Sequence, residues 1–364
     1  MKARLLDWVC CPLCRARLAL AVWERREDEI EDGLLTCTGC ARPFPVIGGI
    51  PRLLPDELMP LVGEFHPEFV RRYGDRVPKI AASPGADRGH AWWAGEARTV
   101  KSYSYQWRKF REMFAQWEDV FRWSIAPLEP SFFPGRVGLD AGCGYGRSIA
   151  YAASYGAEMI GLDLSEAVEA ARDNTRHLPN VHLIQGDIFH PPLRDGVLDF
   201  IYSIGVLQHL PDPRRGFLTL RRLLAPGAPL FVWVYPRGRG RQIALFTLAR
   251  RVSTRLPLTA LDRLCLLLAA AQWMLWIAPY RALDRLPATR ALARRVPFAL
   301  YARYPFRVLH ADWMDGLSVP LVNYYEREDI AGWFRDAGLE RVHIAPDWGG
   351  RAIGWAPSLQ EARR

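Results

Sequence analysis

The chain has 364 residues, half of them hydrophobic, with a mean hydropathy of −0.08 and a formal net charge of +9. This composition excludes a chain too polar to form a core, and the length allows two domains or one domain with large insertions. Seven cysteines, four of them in two CxxC pairs, favour a metal in a reducing cytoplasm over disulfides. The chain starts without the charged, apolar and small-residue succession of a secretory signal, so we expect a cytoplasmic protein.

The net positive charge comes from one segment. Residues 236–310 hold 14 arginines and two acidic residues, a net charge of +12, so the rest of the chain is slightly acidic. The same segment contains the longest stretch without a charge, Leu264–Tyr280. Its 17 residues fall short of the roughly 20 that cross a bilayer, so a transmembrane span is not expected.

Residues 1–55 form the first predicted domain, in which short apolar runs alternate with Cys, Gly and Pro. Two CxxC knuckles separated by 22 residues supply four candidate metal ligands: Cys11, Cys14, Cys37 and Cys40. Four thiolates at this spacing are typical of tetrahedral Zn²⁺ in a zinc-ribbon-like module, and they leave no open position for catalysis. Cys10 is then a spare residue, which we expect to be a small buried side chain.

The residues around these knuckles resemble the Trm112-like zinc-binding family. They include a proline inside the first knuckle, an aromatic residue with Pro and Ile after the second, and "GIPRLLP" at residues 49–55. The second knuckle, "CTGCARPFPV", lacks the usual proline. The resemblance implies a structural zinc site in a module that stabilises a methyltransferase or walls its substrate site. A vestigial module that has lost its metal is the alternative.

Residues 56–133 form a predicted helical connector rich in aromatic side chains. Apolar positions from Ser102 to Trp123 recur at roughly helical spacing, which predicts a helix packed on the next domain. Pro- and Gly-rich breaks near 83–89 and 130–135 bound the connector. Packing and lid roles are both open for the aromatic stretch that comprises Tyr103, Tyr105, Gln106 and Trp107.

Short apolar runs alternate with helical stretches over residues 134–236. Strands and helices at this spacing predict a parallel sheet with helices on both faces, a Rossmann-like α/β fold. The alternation stops over 237–310 and resumes over 311–364 with a helix and a final pair of strands. We therefore predict one domain built from 134–236 and 311–364, with 237–310 as a helical insert. Five prolines are expected to interrupt the insert: Pro257, Pro279, Pro287, Pro297 and Pro305.

The first strand of this sheet leads into a glycine-rich turn, "GLDAGCGYG", at residues 138–146. Gly142, Gly144 and Gly146 let the backbone turn tightly and approach a ligand beside a helix N-terminus. One acidic residue ends each of the first three strands: Asp140, Asp163 and Asp187. Carboxyl ends of parallel strands meet in one crevice, so we expect these carboxylates to converge. A dinucleotide would favour GxGxxG, whereas GxGxG preceded by an acid favours a cationic ligand without phosphate, such as S-adenosylmethionine.

Residues 136–236 resemble the class I S-adenosylmethionine-dependent methyltransferases of the ubiquinone-biosynthesis type. The matching stretches are "VGLDAGCGYGRS", "GLDLS", "IQGDIF" and "SIGVLQHLPDP". The resemblance implies that Asp163 binds the ribose, that Asp187 contacts the adenine edge, and that Ser203 lies under the methionine part. With the acid ahead of the turn, the expected cofactor-binding residues are Asp140, Gly142, Cys143, Gly144, Gly146, Asp163, Leu164, Asp187, Ile188 and Ser203. Within this set Cys143 is interpreted as a small turn residue and not as a nucleophile.

Methyl transfer from a sulfonium is an in-line displacement, for which the protein supplies alignment and a dry pocket. A base helps where the acceptor is a hydroxyl or a phenol. His209, after the fourth strand, is the first candidate, and a local hydrogen-bonding role is its alternative. Weaker candidates are Tyr235, His310, Asp312 and Asp315.

The insert 237–310 leaves the sheet at its carboxyl edge, so we expect it to cap the cavity and shape the choice of acceptor. Its leucine- and tryptophan-rich helices edged with arginine favour a lipidic or apolar small acceptor and a peripheral membrane contact. A solvated cap over a polar molecule or glycan is one alternative. An RNA surface is another, although the segment carries no RNA-binding signature.

The sequence therefore predicts a methyltransferase that uses S-adenosylmethionine, holds a structural Zn²⁺ and methylates oxygen or carbon of a small acceptor. A cytoplasmic location, with membrane association through the insert, accompanies this prediction. Two alternatives remain open. One is a tRNA or rRNA methyltransferase, and the other is a non-catalytic cofactor-binding partner that activates a separate methyltransferase.

Overall fold

The structure is a computed structural model that describes residues 1–77, 91–238, 240–285 and 287–358. The strands are β1 Leu18–Arg26, β2 Glu29–Cys37, β3 Pro43–Ile47, β4 Ile50–Leu53, β5 Val137–Ala141, β6 Glu158–Asp163, β7 Val181–Gly186, β8 Phe200–Ile204, β9 Pro229–Trp233, β10 Glu340–Ile344 and β11 Arg351–Trp355. The α-helices are α1 Met59–Phe65, α2 Pro67–Tyr73, α3 Ala91–Lys109, α4 Gln116–Ile125, α5 Arg147–Ser154, α6 Ala167–Thr175, α7 Pro213–Arg221, α8 Gly240–Ser253, α9 Leu258–Gln272, α10 Ala278–Asp284, α11 Arg290–Ala293, α12 Phe306–Ser318 and α13 Arg327–Asp336.

The centre of the sheet is parallel. Strands β7, β6, β5, β8 and β9 lie side by side in that order, and β11 and β10 extend this region antiparallel. All six residues of β7 and four of the five in β5 are buried, as expected for strands covered by helices on both faces. The predicted Rossmann-like fold is confirmed. The order β6-β5-β8 places the ends of these strands at one crevice.

The front module continues this same sheet. Strands β1 to β4 pair antiparallel with one another, and β4 pairs parallel with β7. Arg52 lies opposite Gln185 in this register, and Leu53 lies opposite Gly186. The sheet thus runs from β1 to β10 without interruption. The boundaries expected at residues 55, 133, 236 and 310 stay predictions, but backbone hydrogen bonds link the first domain to the third.

The aromatic connector differs from the single helix predicted over Ser102–Trp123. Two helices, α3 and α4, are separated at Phe110–Ala115. Contacts with other elements stabilise this break. The Asn174 side-chain amide donates to the Arg111 carbonyl at 2.9 Å, and Phe110 packs edge-on against His310. The break expected near 83–89 lies outside the described residues.

The insert is helical as expected, but one of its prolines does not interrupt it. Helices α9 and α10 join through a π-helical turn, Trp273–Ile277, into one helix of 27 residues, Leu258–Asp284. The π turn ends directly before Ala278 and Pro279, where the proline ring has no N–H to donate. By length and composition this helix could cross a membrane, although its uncharged stretch alone falls short. It packs against α12.

Candidate functional site

A cavity of about 490 Å³ opens at the carboxyl ends of the parallel strands. The glycine turn and the strand ends form one side of it, and aromatic residues of α3, α4 and the segment before α12 form the other. This volume lies within the ~300–1,000 Å³ range of small-molecule sites. The cavity is therefore large enough to be a ligand site where the sequence analysis places one.

The glycine turn needs residues without side chains. Gly142, Gly144 and Gly146 all have positive φ, at 90°, 52° and 88°. A Cβ on Gly142 would lie 2.3 Å from a methyl carbon of Val206, so the backbone passes too close for any other residue. Cys143 lies in the cavity wall between them, and burial raises the pKa of its thiol. The thiol stays protonated, which agrees with a packing role.

Asp140 presents a buried carboxyl group to the cavity. Its side chain is 2% exposed, and its Oδ2 atom has no hydrogen-bond partner among the described residues. Burial and the neighbouring Asp163 carboxylate raise the pKa of this carboxyl to about 8, against the opposing effects of Tyr202 and Arg147. A buried carboxylate without a partner is costly unless a cation meets it. The cavity therefore has a position suited to a positively charged group.

The other predicted cofactor residues differ in their placement. Asp163 accepts from the Gly144 N–H at 2.9 Å and from the Ser165 hydroxyl at 2.6 Å, and burial raises its pKa. Asp187 accepts from the Phe189 N–H and contacts His190 Nδ1 at 2.8 Å. These two aspartates line the cavity together with Leu164 and Ile188.

Ser203 does not lie in the cavity wall. Its side chain is fully buried and its hydroxyl donates to the Ala141 carbonyl at 2.9 Å, which ties β8 to β5. The chain lines the cavity from the next residue onward, with Ile204, Gly205 and Val206. The Ser203 hydroxyl thus makes a structural hydrogen bond between strands, and its expected contact with a ligand stays a prediction.

His209 lies in the cavity wall and is 7% exposed. Its Nδ1 lies 3.0 Å from the Leu321 carbonyl, which can only accept, so Nδ1 carries the proton. Its Nε2 has no partner among the described residues. Burial lowers the pKa of this imidazole. The ring therefore stays neutral at physiological pH, and the Nε2 lone pair is free to take a proton.

The weaker catalytic candidates separate into two groups. Tyr235, Asp312 and Asp315 line the cavity, and Asp315 accepts from the Tyr235 hydroxyl at 2.8 Å. Burial raises the pKa of Asp312 to about 6. His310 instead points toward α9, where its Nε2 lies 3.1 Å from the Asp262 carbonyl. It is not part of the cavity.

An aromatic wall faces the glycine turn. Its rings come from three segments, α3, α4 and the segment before α12, and the two rings of α3 belong to the aromatic stretch in which packing and lid roles were open. The aromatic residues of this wall are Tyr103, Trp107, Trp117, Trp123, Tyr301 and Tyr304, and Tyr145, Trp233 and Tyr235 line the side of the turn and the strand ends. Tyr105 and Gln106 face away, toward α12 and its neighbours. Sequence reasoning missed Trp117, Trp233, Tyr301 and Tyr304, for which the only signal was the position of their segments near the crevice.

Two family models match this chain. Residues 139–232 match a methyltransferase domain, and residues 2–49 match the Trm112p-like protein. The chain joins a methyltransferase domain to a Trm112-like module. The cofactor of this class of domain is S-adenosylmethionine, a cation, and the unpartnered Asp140 in the cavity fits it.

Known proteins match parts of the chain. An uncharacterized 37.1 kDa protein in transposon TN4556 of Streptomyces fradiae is 44% identical over 27% of this chain and 29% of its own length. A probable tocopherol O-methyltransferase of Oryza sativa subsp. japonica is 31% identical over 38% of each chain. Both matches thus take in well under half of the relatives' length. A solved complex of the Haloferax volcanii Trm112 methyltransferase activator with a methyltransferase aligns at 15% identity and TM-score 0.37, over 73% of this chain and 96% of that one.

The Trm112-like module gathers its four knuckle cysteines as expected. The Sγ atoms of Cys11 and Cys40 lie 3.7 Å apart, those of Cys14 and Cys37 lie 3.3 Å apart, and all four lie within 4.8 Å of one another. Four thiolates about 2.3 Å from one ion fit these separations, so the residues present suit tetrahedral Zn²⁺. Cys10 lies outside the cluster, buried, with its backbone N–H bonded to the Pro192 carbonyl.

A charged cluster joins the module to the methyltransferase domain. The fully buried Arg52 donates to Gln185 Oε1 at 2.9 Å and to Glu169, and lies 3.7 Å from Glu166. Gln185 in turn donates to the Leu164 carbonyl at 3.1 Å, beside the cavity. His66 contacts Glu166 at 2.8 Å. The guanidinium already supplies the cation for these carboxylates, so we interpret this cluster as an ion-pair network and not as a metal site.

Proposed function

We propose that this protein transfers the methyl group of S-adenosylmethionine to oxygen or carbon of a small apolar acceptor. The observation that carries the proposal is the division of the cavity, with an unpartnered carboxylate on one side and an aromatic wall on the other. The carboxylate suits a cationic cofactor, and the aromatic wall suits an apolar acceptor that lies against it. The relative named for tocopherol O-methylation is consistent with this acceptor class.

The cofactor-binding roles follow from the lining residues. Asp140 is assigned to the cationic part of the cofactor, and the glycine turn leaves space for it. The Asp163 carboxylate accepts hydrogen bonds from Gly144 and Ser165. Its remaining lone pairs can accept hydrogen bonds from the ribose hydroxyls. Leu164 and Ile188 are assigned to the faces of the adenine and Asp187 to its edge. Ser203 is given no cofactor contact.

S-adenosylmethionine supplies an electrophilic methyl group on a positively charged sulfur. The protein's part is to align the acceptor atom with that methyl group and to exclude water with the aromatic wall. For a hydroxyl acceptor, the proton released as the new O–CH₃ bond forms passes to Nε2 of His209. The Leu321 carbonyl holds Nδ1–H, so the ring is oriented for this transfer.

Calorimetric titration with S-adenosylmethionine tests the cofactor assignment. The wild-type protein is expected to bind, and Asp140→Asn is expected to bind about 10- to 100-fold more weakly, because a charge-assisted contact is lost. Asp173→Asn, which changes an exposed aspartate on α6, is the matched control and should bind as the wild type does. Absence of binding by the wild type would sink the proposal.

Labelled methyl transfer tests the acceptor. Label from S-adenosylmethionine is expected in the lipid or apolar metabolite fraction of a cell extract and not in RNA or in polar metabolites. His209→Asn is expected to lower kcat about 10²- to 10⁴-fold for a hydroxyl acceptor without weakening cofactor binding. Label in RNA would instead support an RNA methyltransferase, and binding without any turnover would support a non-catalytic activator.

A further inference from the structure

The long helix of the insert presents an apolar face to solvent. Leu267, Met274 and Leu275 are 67%, 67% and 65% exposed, and Leu264 is 40% exposed. These positions, with Ala271 and Ala278, follow one another at spacings of three and four residues, so they share one side of the helix. Proteins that work only in water rarely expose such a continuous stripe. The stripe therefore indicates a surface that binds an apolar partner or medium outside the chain.

The opposite side of this helix is anchored to the protein. Leu261 and Cys265 are fully buried and pack with Met314 and Leu317 of α12. Asp262 is paired with Lys109 and with His310. A helix that crossed a bilayer would have to carry these charges into hydrocarbon, which is costly. The anchored side thus favours a helix that lies on a membrane over one that spans it.

Arginines flank the apolar stripe in the sequence. Arg251 and Arg255 precede the helix, Arg263 lies near its start, and none of the three forms an ion pair within the described part of the chain. Arg281 lies near the helix end and is exposed. The whole segment carries a net charge of +12. Two copies of such a face would bring arginines together, whereas an anionic surface would neutralise them.

We propose that the exposed side of Leu258–Asp284 docks in the interfacial region of a bilayer that contains anionic lipids. The apolar stripe enters the boundary between headgroups and acyl chains, and Arg251, Arg255 and Arg263 contact lipid phosphates. Trp276, which is 39% exposed and follows Leu275 in the chain, has the amphipathic ring typical of this depth. The helix lies parallel to the membrane and stays packed on α12.

The end of the docking helix packs against a segment that lines the cavity. Leu300 is 60% exposed and also lines the cavity, as do Tyr301 and Tyr304 of the same segment. This segment, Ala299–Arg303 with Tyr304, packs against α10, and Arg281 donates to the carbonyls of Ala302 and Tyr304. An acceptor dissolved in the bilayer would therefore meet the cavity at the membrane surface. This last step rests on the proposed function, whereas docking itself does not.

Vesicle co-sedimentation of the full-length protein tests docking. Binding is expected to vesicles of phosphatidylcholine with phosphatidylglycerol, and it should weaken with salt and be much lower without phosphatidylglycerol. The triple variant Leu267→Ser, Met274→Ser, Leu275→Ser is expected to lose at least about tenfold in binding, and so is Arg251→Gln with Arg255→Gln. Val342→Ser, an exposed apolar residue of β10, is the matched control and should bind like the wild type.

Calorimetric titration with S-adenosylmethionine accompanies each variant, and an unchanged affinity shows that the methyltransferase domain is intact. Equal binding of wild type and variants, or no binding to either kind of vesicle, would overturn the proposal. A dimer that the same serine substitutions dissociate would assign the face to a second copy instead. Protein that resists extraction from vesicles at alkaline pH would mean that the helix spans the bilayer, which also contradicts docking at the surface.

Labelled methyl transfer separates docking from the proposed function. With a lipid extract presented as vesicles, the serine variant is expected to transfer at least about tenfold less label than the wild type, in proportion to its lost binding. With the same extract dissolved in detergent, the two should be equal. Vesicle binding without any methyl transfer by the wild type would contradict the proposed function and leave docking standing.

Discussion

Arginine is used in opposite ways at the front of this molecule and in its insert. Arg52 is fully buried between the Trm112-like module and the methyltransferase domain, with two carboxylates and an amide around it. In the insert, Arg251, Arg255 and Arg263 are exposed and form no ion pair within the described residues. Arg52 pairs with residues of its own chain. We infer that the exposed arginines of the insert bind partners outside the chain.

The difference shows what a charged residue contributes in each setting. A buried guanidinium needs partners around it, and Arg52 finds Gln185, Glu166 and Glu169 on the methyltransferase domain, so it fixes the orientation of the module on the domain. Exposed arginines contribute little to folding stability, so they can be used to bind an external surface. Substitutions in the front part should therefore change folding, and substitutions in the insert should change binding alone.

The largest effect is expected at the zinc site of the front module. Cys14→Ser should release Zn²⁺ and destabilise the module, because structural sites bind zinc with apparent free energies of about 10 kcal/mol or more. Cys10→Ser is the matched control and should keep its metal, since Cys10 lies outside the cluster. Elemental analysis for zinc and thermal unfolding measure both. Metal loss from Cys10→Ser would mean that a different set of cysteines holds the ion.

Arg52→Met should have the next largest effect. Removing the guanidinium leaves Glu166 buried without its main partner, and breaking a buried pair costs about 3–5 kcal/mol. Urea unfolding followed by fluorescence measures the change in the free energy of unfolding. The control is Arg71→Met, whose pair with Glu68 is exposed and worth less than about 1 kcal/mol. If both substitutions changed the free energy of unfolding equally, the buried Arg52 would contribute no more to folding than an exposed arginine does.

Acid should weaken the front interface through Glu166. Burial opposes its ionisation, but Arg52, His66 and Gln185 outweigh burial and lower its pKa from 4.5 to about 2. Its contribution to stability, about 3 kcal/mol at most, is complete above pH 4.5 and is lost as the pH falls toward 2. The stability difference between wild type and Glu166→Gln should be constant from pH 7 to 5 and shrink below 4.5. If this stability difference grew on acidification, folding would raise the pKa of Glu166 instead of lowering it.

The smallest effect on folding is expected in the insert. Arg251→Gln with Arg255→Gln should change the free energy of unfolding by no more than about 0.5 kcal/mol, because both side chains are exposed and unpaired among the described residues. The measurement is the same urea titration as for Arg52→Met. A loss of 2 kcal/mol or more would show that these arginines have partners within the chain, and the contrast would fail.

The central sheet and the glycine turn were predictable because their signals are local. Apolar runs alternate with helical stretches over residues 134–236, and the glycines stand directly after β5. The cysteine cluster was predictable for the same reason, because the spacing of its two CxxC pairs is by itself characteristic of a zinc site. The fold of this region and the place of the cofactor could therefore be predicted from short stretches of sequence.

Contacts between distant segments were not predictable. Arg52 and Gln185 are 133 positions apart, and in "GIPRLLP" the arginine resembles an ordinary surface residue. Tyr301 and Tyr304 line the cavity because the insert folds back over the sheet, which no local pattern indicates. Ser203 was placed under the ligand by resemblance, whereas its hydroxyl joins two strands. In each case the decisive partner lies on another element.

The pairing of β4 with β7 has a consequence for solubility. Without the Trm112-like module, β7 would be an outermost strand, with no charged residue in "VHLIQG" and its backbone donors and acceptors open to other chains. Such bare strands promote aggregation. The module moves the outer position to β1, where Glu24, Arg25 and Arg26 discourage pairing. Because the module is synthesised before β7, it is present to cover that strand as soon as the strand leaves the ribosome.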